Sequence, residues 1–178
     1  KKGVLDLPLI FSLIKEKQSN VELVLIGNDS PDLITNSNST WQLLKQKFGL
    51  ELLKSVKYYD KVSYSKLTEY INRSSICIFP SYAETFGMVT IEAMAMGKPV
   101  LVGDFGWSRE IIEHGTDGFL IEQGNYLDFS EQALYLLNNH EHAKNIGKNA
   151  RLKVVNCFDM KKIAKQNILF YASIIDLK

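Results

Sequence analysis

Short, wholly apolar runs alternate along this chain with longer stretches in which apolar residues recur at every third or fourth position. Leu7 to Lys17 puts Leu9, Ile10, Leu13 and Ile14 on one face and predicts a helix. Val21 to Ile26 predicts a strand ended by Gly27, followed by a turn-rich loop that runs to Thr40. Thr40 is suited to cap a helix from Trp41 toward Lys47, and Ser65 a helix to Arg73. Between these two helices Val56 to Tyr59 predicts a short strand. Ile76 to Phe79 is a strand stopped by Pro80, Phe86 to Met96 a small-residue helix with Gly97 beyond its end, and Val100 to Val102 a further strand. Ser108 to His114 reads as helix, Phe119 to Ile121 as strand, and Tyr126 to Asn138, Glu141 to about Val155 and Met160 to Leu177 as a helical C-terminus. All-apolar strands separated by amphipathic helices predict an α/β fold: a doubly wound, Rossmann-like parallel sheet with helices on both faces.

Such sheets take ligands at the carboxyl ends of their strands, so the loops at Gly27, Tyr59, Pro80 and Gly103 belong to one functional rim. No Gly-x-Gly-x-x-Gly follows any strand, which removes the signature of nicotinamide or flavin binding. With 178 residues, 46% of them hydrophobic, the chain is long enough for one self-sufficient domain spanning residues 1–178. Cys77 and Cys157 lie far apart with no Cys-x-x-Cys or Cys/His cluster, and Cys77 sits in an apolar run. That usage fits a cytoplasmic protein and predicts no metal held by protein ligands. A net charge of +1 from interspersed acids and bases offers no broad basic face for nucleic acid. No apolar run is long enough to span a bilayer, and no signal peptide is visible.

The richest chemistry lies in residues 80–99. A strand, a glycine-bearing turn and a helix start bring together unpaired backbone N–H groups at Phe86, Gly87, Met88 and Val89. The helix dipole makes that end attractive to an anion such as phosphate. Glu84 before the turn and Glu92 within the helix cannot bind phosphate. Each carboxylate can instead accept hydrogen bonds from paired hydroxyls, so the combination suggests a nucleotide-sugar. Two glutamates eight apart are also common in helices, where one complements the dipole and the other pairs with a lysine. Spacing alone leaves both readings open.

The whole composite resembles the C-terminal, donor-binding domain of retaining glycosyltransferases of the GT-B fold, the group 1 (family 4) class. The matching residues are Pro80-Ser81, Glu84, Phe86-Gly87, Glu92-Ala93-Met94-Ala95, Gly97-Lys98-Pro99-Val100, Gly106 with Glu110-Ile111, and Gly115 with Gly118. Ala150-Arg151 and Phe158 continue the match. The resemblance implies that Glu84 contacts the donor sugar as the candidate catalytic residue and that Glu92 holds the ribose hydroxyls. It implies that the amides from Phe86 to Val89 cradle the diphosphate. Lys2, before Gly3, matches the lysine that neutralises the leaving diphosphate, its arginine partner falling before residue 1; a solvated terminal lysine is the alternative. Tyr59, Lys61 and Val62 match the loop that receives the nucleobase, although Tyr58 and Tyr59 also suit a core.

Gly106 is followed by Trp107 where relatives often have a second glycine, and Arg109 replaces a frequent proline, so donor preference does not carry over. Trp107 is read first as packing against a further domain, with stacking on a sugar or nucleobase face as the alternative. No Asp-x-Asp is present, and the resemblance implies metal-independent, retaining transfer without a cofactor. It also implies an absent N-terminal acceptor domain, with room for peripheral membrane attachment of the full enzyme, and a fragment inactive by itself. A sugar-nucleotide epimerase or hydrolase of the same fold, or a non-catalytic binding module, are the rival classes.

Overall fold

The computed structural model describes residues 2–175. A 3-10 turn at Val4–Asp6 leads into α1 (Leu7–Lys17), with Pro8 in its first turn, where the missing N–H costs nothing. The order continues β1 (Leu23–Ile26), α2 (Thr40–Leu53), β2 (Val56–Tyr59), α3 (Tyr64–Arg73), β3 (Cys77–Phe79), α4 (Met88–Ala95) and β4 (Val100–Gly103). It ends with α5 (Ser108–Ile111), β5 (Phe119–Ile121), α6 (Tyr126–Asn138), α7 (His140–Cys157) and α8 (Met160–Ile175). The expected extension of the last helix to Leu177 lies outside the described residues.

All strand pairing is parallel, as expected, but the hydrogen bonds divide into two sheets, β1-β2 and β3-β4-β5. The expected single sheet is therefore interrupted between β1 and β3. Side chains cross the interruption: Val21 and Leu23 join the cluster around Phe11 and Phe48, to which Ile78 of β3 also packs. Strands of three or four residues offer few ladder bonds, and side-chain burial supplies the continuity instead.

The three-stranded sheet is covered on both faces, and the pleat shows it residue by residue. Val100 and Val102 face a cluster with Ile91 and Met94 of α4 and Ala150 and Val154 of α7. Leu101, Phe119 and Ile121 face the other way, onto Ile10 and Ile14 of α1 and Phe129, Ala133 and Leu136 of α6. Val100, Leu101 and Ile121 have no measurable exposure. This double cover makes the strand axis rigid, and the loops leaving it inherit that rigidity.

Several boundaries depart from the sequence reading for local reasons. Ser39, not Thr40, caps α2 by accepting the Gln42 N–H, and Ser63, not Ser65, caps α3 by accepting the Lys66 N–H. In both cases the capping serine has the extended backbone that a helix start requires. The helix expected over Phe86 to Met96 begins only at Met88, because Gly87 sits in the left-handed region at φ 73°. Its end matches expectation: Gly97 and Lys98 donate to Met94 and Ala93 in a glycine-terminated cap. The Ser108 to His114 helix shortens to one turn, and α2 runs on past Lys47, with a non-helical kink at Gly49. In α8 no residue is buried.

Asp117, only 3% exposed, links the loop before β5 to α7. Its carboxylate accepts the Glu113 N–H at 2.8 Å and pairs with Lys153 at 3.0 Å. Lys153→Ala leaves that carboxylate buried without its counter-charge. The expected loss is about 3 kcal/mol, seen in urea unfolding as a lower midpoint with an unchanged slope.

Candidate functional site

The loop between β3 and α4 is fixed at its root by two close backbone approaches. A Cβ on Gly3, whose φ is 65°, would collide with the Pro80 carbonyl, and one on Gly103 would lie 2.5 Å from the Ser81 carbonyl oxygen. Only glycine permits the N-terminal segment and the end of β4 to close on residues 80–81 from both sides. Ser81 is thereby buried, and its hydroxyl donates to Glu84 Oε1 at 3.2 Å. Further out, Gln123 Nε2 donates to the Tyr82 carbonyl at 3.0 Å. The Asp6 carboxylate beside the Tyr82 hydroxyl, with burial and Tyr126 adding to it, raises that phenol above its ordinary range. The loop is held from three directions, by Gly3, Gly103 and Gln123.

On this frame the chemistry-bearing groups fall into place. Glu84 is mostly buried, its side chain 14% exposed, and it forms an ion pair with Lys2. Gly87 is the N-cap of α4 and supplies no side-chain cap. Its carbonyl accepts from Thr90 and Ile91, while among the described residues the N–H groups of Gly87, Met88 and Val89 meet no protein acceptor. Phe86 lies before the helix rather than in it, its ring edge-on to Phe158 at 5.9 Å. An uncapped helix start beside a lysine presents a positive, donor-rich surface. Glu84, Phe86 and Gly87 share one narrow cavity with Trp107 and Ser108.

Glu92 lies in α4 beyond this cavity, half-buried, and takes part in none of the ion pairs among the described residues. The residues read as nucleobase contacts sit apart, at the carboxyl end of β2. Tyr59 packs its ring on Tyr70 at 4.7 Å, Lys61 is exposed and Val62 is half-buried. Their loop is tied to the one after β1: Tyr58 Oη donates to the Gly27 carbonyl at 2.9 Å, and the Asp29 N–H to Asp60 Oδ1 at 3.3 Å. Asp29 in turn accepts from Ser39 Oγ and the Trp41 N–H, and these bonds lower its pKa. Trp41 stacks on Tyr58 at 4.4 Å, which makes Tyr58 a structural aromatic.

The loop after β4 closes the other side of the cavity. Arg109 makes a two-pronged ion pair with Asp104, Nε to Oδ1 at 2.7 Å and an Nη to Oδ2 at 2.8 Å. Ser108 Oγ bonds both the N–H and the carbonyl of Phe105. The long-range ties made by Gly3, Gly103 and Gln123 carried no local signal in the sequence. Among the described residues no three His, Cys, Asp or Glu side chains group in a way that could hold a metal ion, and no helix is long and apolar enough to cross a membrane.

Comparison with known proteins gives the chain a class. The family described as glycosyl transferases group 1 matches residues 1–153, and the chain belongs to that family. Its architecture is that of one half of a GT-B glycosyltransferase. The chain is 30% identical to the N-acetyl-alpha-D-glucosaminyl L-malate synthase of Bacillus anthracis, over 98% of its own length and 43% of that protein's. It superimposes on a sucrose-phosphate synthase from Thermosynechococcus elongatus with TM-score 0.83 at 25% identity, covering 100% of this chain and 43% of that one. The Anabaena protein HepE, solved in complex with UDP-glucose, shares the fold at TM-score 0.78 and 24% identity over 93% of this chain and 44% of that one. The chain spans less than half the length of the curated relatives it matches, 40% and 43% in two of them.

Hydrogen bonds from Arg109 hold the Asp104 carboxyl below the ordinary carboxylate range. A depressed folded-state pKa means that the pair stabilises the loop above the usual carboxylate titration and that this contribution disappears as pH falls through the depressed value. Arg109→Ala is expected to return Asp104 toward ordinary titration, followed by carboxyl ¹³C shifts against pH. An unmoved titration would show that the guanidinium is not the cause.

Proposed function

We propose that this domain binds a nucleoside-diphosphate sugar and presents it for glycosyl transfer to an acceptor held by a further domain. One observation carries the reading: an uncapped α4 start with free amides at Gly87, Met88 and Val89, flanked by Glu84 and Glu92, in a chain of the group 1 family. The diphosphate accepts from those amides, and from the Phe86 amide beside them, while the helix dipole favours its charge. Glu92 accepts from the ribose hydroxyls. Glu84 contacts and orients the sugar, as the candidate catalytic residue. Tyr59, Lys61 and Val62 are assigned to the nucleobase.

Lys2 and Glu84 form an ion pair. An arriving diphosphate gives Lys2 a more highly charged partner and releases the carboxylate for sugar hydroxyls. In the transfer step the acceptor oxygen bonds the anomeric carbon as the bond from that carbon to the diphosphate oxygen breaks. The diphosphate departs with the electron pair, and the acceptor's proton passes to a departing phosphate oxygen on the same face of the sugar. Attack on that face retains the anomeric configuration. The fixed donors at the start of α4, together with Lys2, stabilise the developing charge because they need no reorganisation as it forms. In this reading the protein's groups carry the transfer with neither a metal ion nor a cofactor.

The UDP-glucose complex of HepE makes a UDP-sugar the first donor to test. Titration calorimetry with UDP, GDP and ADP, each with and without glucose attached, is expected to show binding of one nucleotide series. Glu92→Ala weakens both members of that series by roughly tenfold or more, the scale of losing charge-assisted bonds. Glu84→Ala weakens only the sugar-bearing member. Absence of binding to every nucleotide would contradict the proposal.

A further inference from the structure

Trp107 has no assigned partner in the fold. It is 53% exposed, yet it stands on a segment fastened by the Arg109–Asp104 pair and the two Ser108 bonds to Phe105. Among the described residues it stacks on no aromatic ring, and its indole N–H has no acceptor. Large exposed aromatics on firmly held loops are uncommon as structural residues and frequent as contact surfaces.

Its position narrows the contact. Trp107 lines the same cavity as Glu84, Phe86 and Gly87. That cavity holds ≈ 10 Å³ of water-accessible space, room for about one water molecule. A sugar ring is larger than that space and would lie against its outer lining, to which the exposed Trp107 belongs. A pyranose has two kinds of surface: an edge of hydroxyls and a face of C–H bonds. A carboxylate accepts from the edge, and a flat aromatic ring covers the face and removes its apolar area from water.

Resting on the donor-binding reading above, we infer that Trp107 is a specificity-determining residue: its indole stacks on the C–H face of the donor's hexopyranose while Glu84 holds the hydroxyl edge. The class of sugar selected is one whose C–H face is unbroken, with its ring hydroxyls equatorial as in glucose. An axial hydroxyl projecting toward the indole, as in the galactose isomer, loses part of that contact and leaves a polar group without a partner. Of the two readings open for Trp107, this takes stacking on a sugar face over packing against another domain.

The test uses the 178-residue chain with UDP, UDP-glucose and UDP-galactose, and with the GDP and ADP series if calorimetry selects those. Ring-current shifts of the glucose ring protons, read by proton NMR, report an aromatic ring over the sugar face and do not respond to a merely structural role. The parent chain is expected to move those protons upfield, and Trp107→Ala to abolish the shift. The same variant weakens UDP-glucose roughly 5- to 10-fold, the scale of one aromatic contact, while UDP stays within about twofold. Trp107→Phe recovers most of the loss, and the glucose donor's advantage over galactose shrinks in Trp107→Ala. Equal weakening of UDP and UDP-glucose, or unchanged ring-proton shifts, overturns the inference while the donor-binding reading stands. Failure of the parent chain to bind any nucleotide-sugar overturns both.

Discussion

The closure of backbone on backbone around Pro80 and Ser81 is the constraint on which the rest of the site depends. Gly3 meets the Pro80 carbonyl from one side and Gly103 the Ser81 carbonyl from the other, at separations that leave no room for a Cβ. The sheet core beneath them, Val100, Leu101 and Ile121, is fully buried between helices on both faces. Rigidity therefore passes from packed strands to the loop root, then to Glu84 and the first turn of α4. A site that must stabilise charge with fixed dipoles needs that inheritance, because dipoles free to reorient would have to be ordered during the reaction.

The same frame explains how chemically unlike groups coexist in a small space. Gly87 in the left-handed region ends the loop and starts α4 without a side-chain cap, leaving its amides to a ligand. A serine or aspartate there would satisfy the helix start and spend those donors internally. Glu84, held by Ser81 and Lys2, stays beside this positive end without being drawn onto it. On the opposite wall the Arg109–Asp104 pair holds the loop after β4 in place. The ion pair is exposed on its arginine side, so its role is orientation more than stability.

Much of this was legible in the sequence. The ranges of α1, β2, β5 and α6 follow from apolar spacing, and the motif from Pro80 to Pro99 by itself marks Glu84, Gly87 and the free amides. Errors came where two neighbouring residues offered the same chemistry. Ser63 and Ser65 can both cap a helix, as can Ser39 and Thr40, and backbone conformation chooses between them. The α4 start moved to Met88 because the sequence shows a glycine but not its left-handed φ. The break between the two sheets was invisible because apolar strands look alike whether or not they share a hydrogen-bonded edge. The grips on the loop, from Gly3, Gly103 and Gln123, were illegible for a different reason: their partners lie far away in sequence, and none of these residue types is unusual where it stands.

The central claim is that backbone amides at the start of α4 are the diphosphate site, and amide NMR tests it most directly. Adding the cognate nucleoside diphosphate to uniformly ¹⁵N-labelled chain should move the Gly87, Met88 and Val89 amide protons downfield along one saturating curve, as new hydrogen bonds to phosphate form. Saturable binding with those three resonances unmoved and the shifts confined to another face would contradict the account.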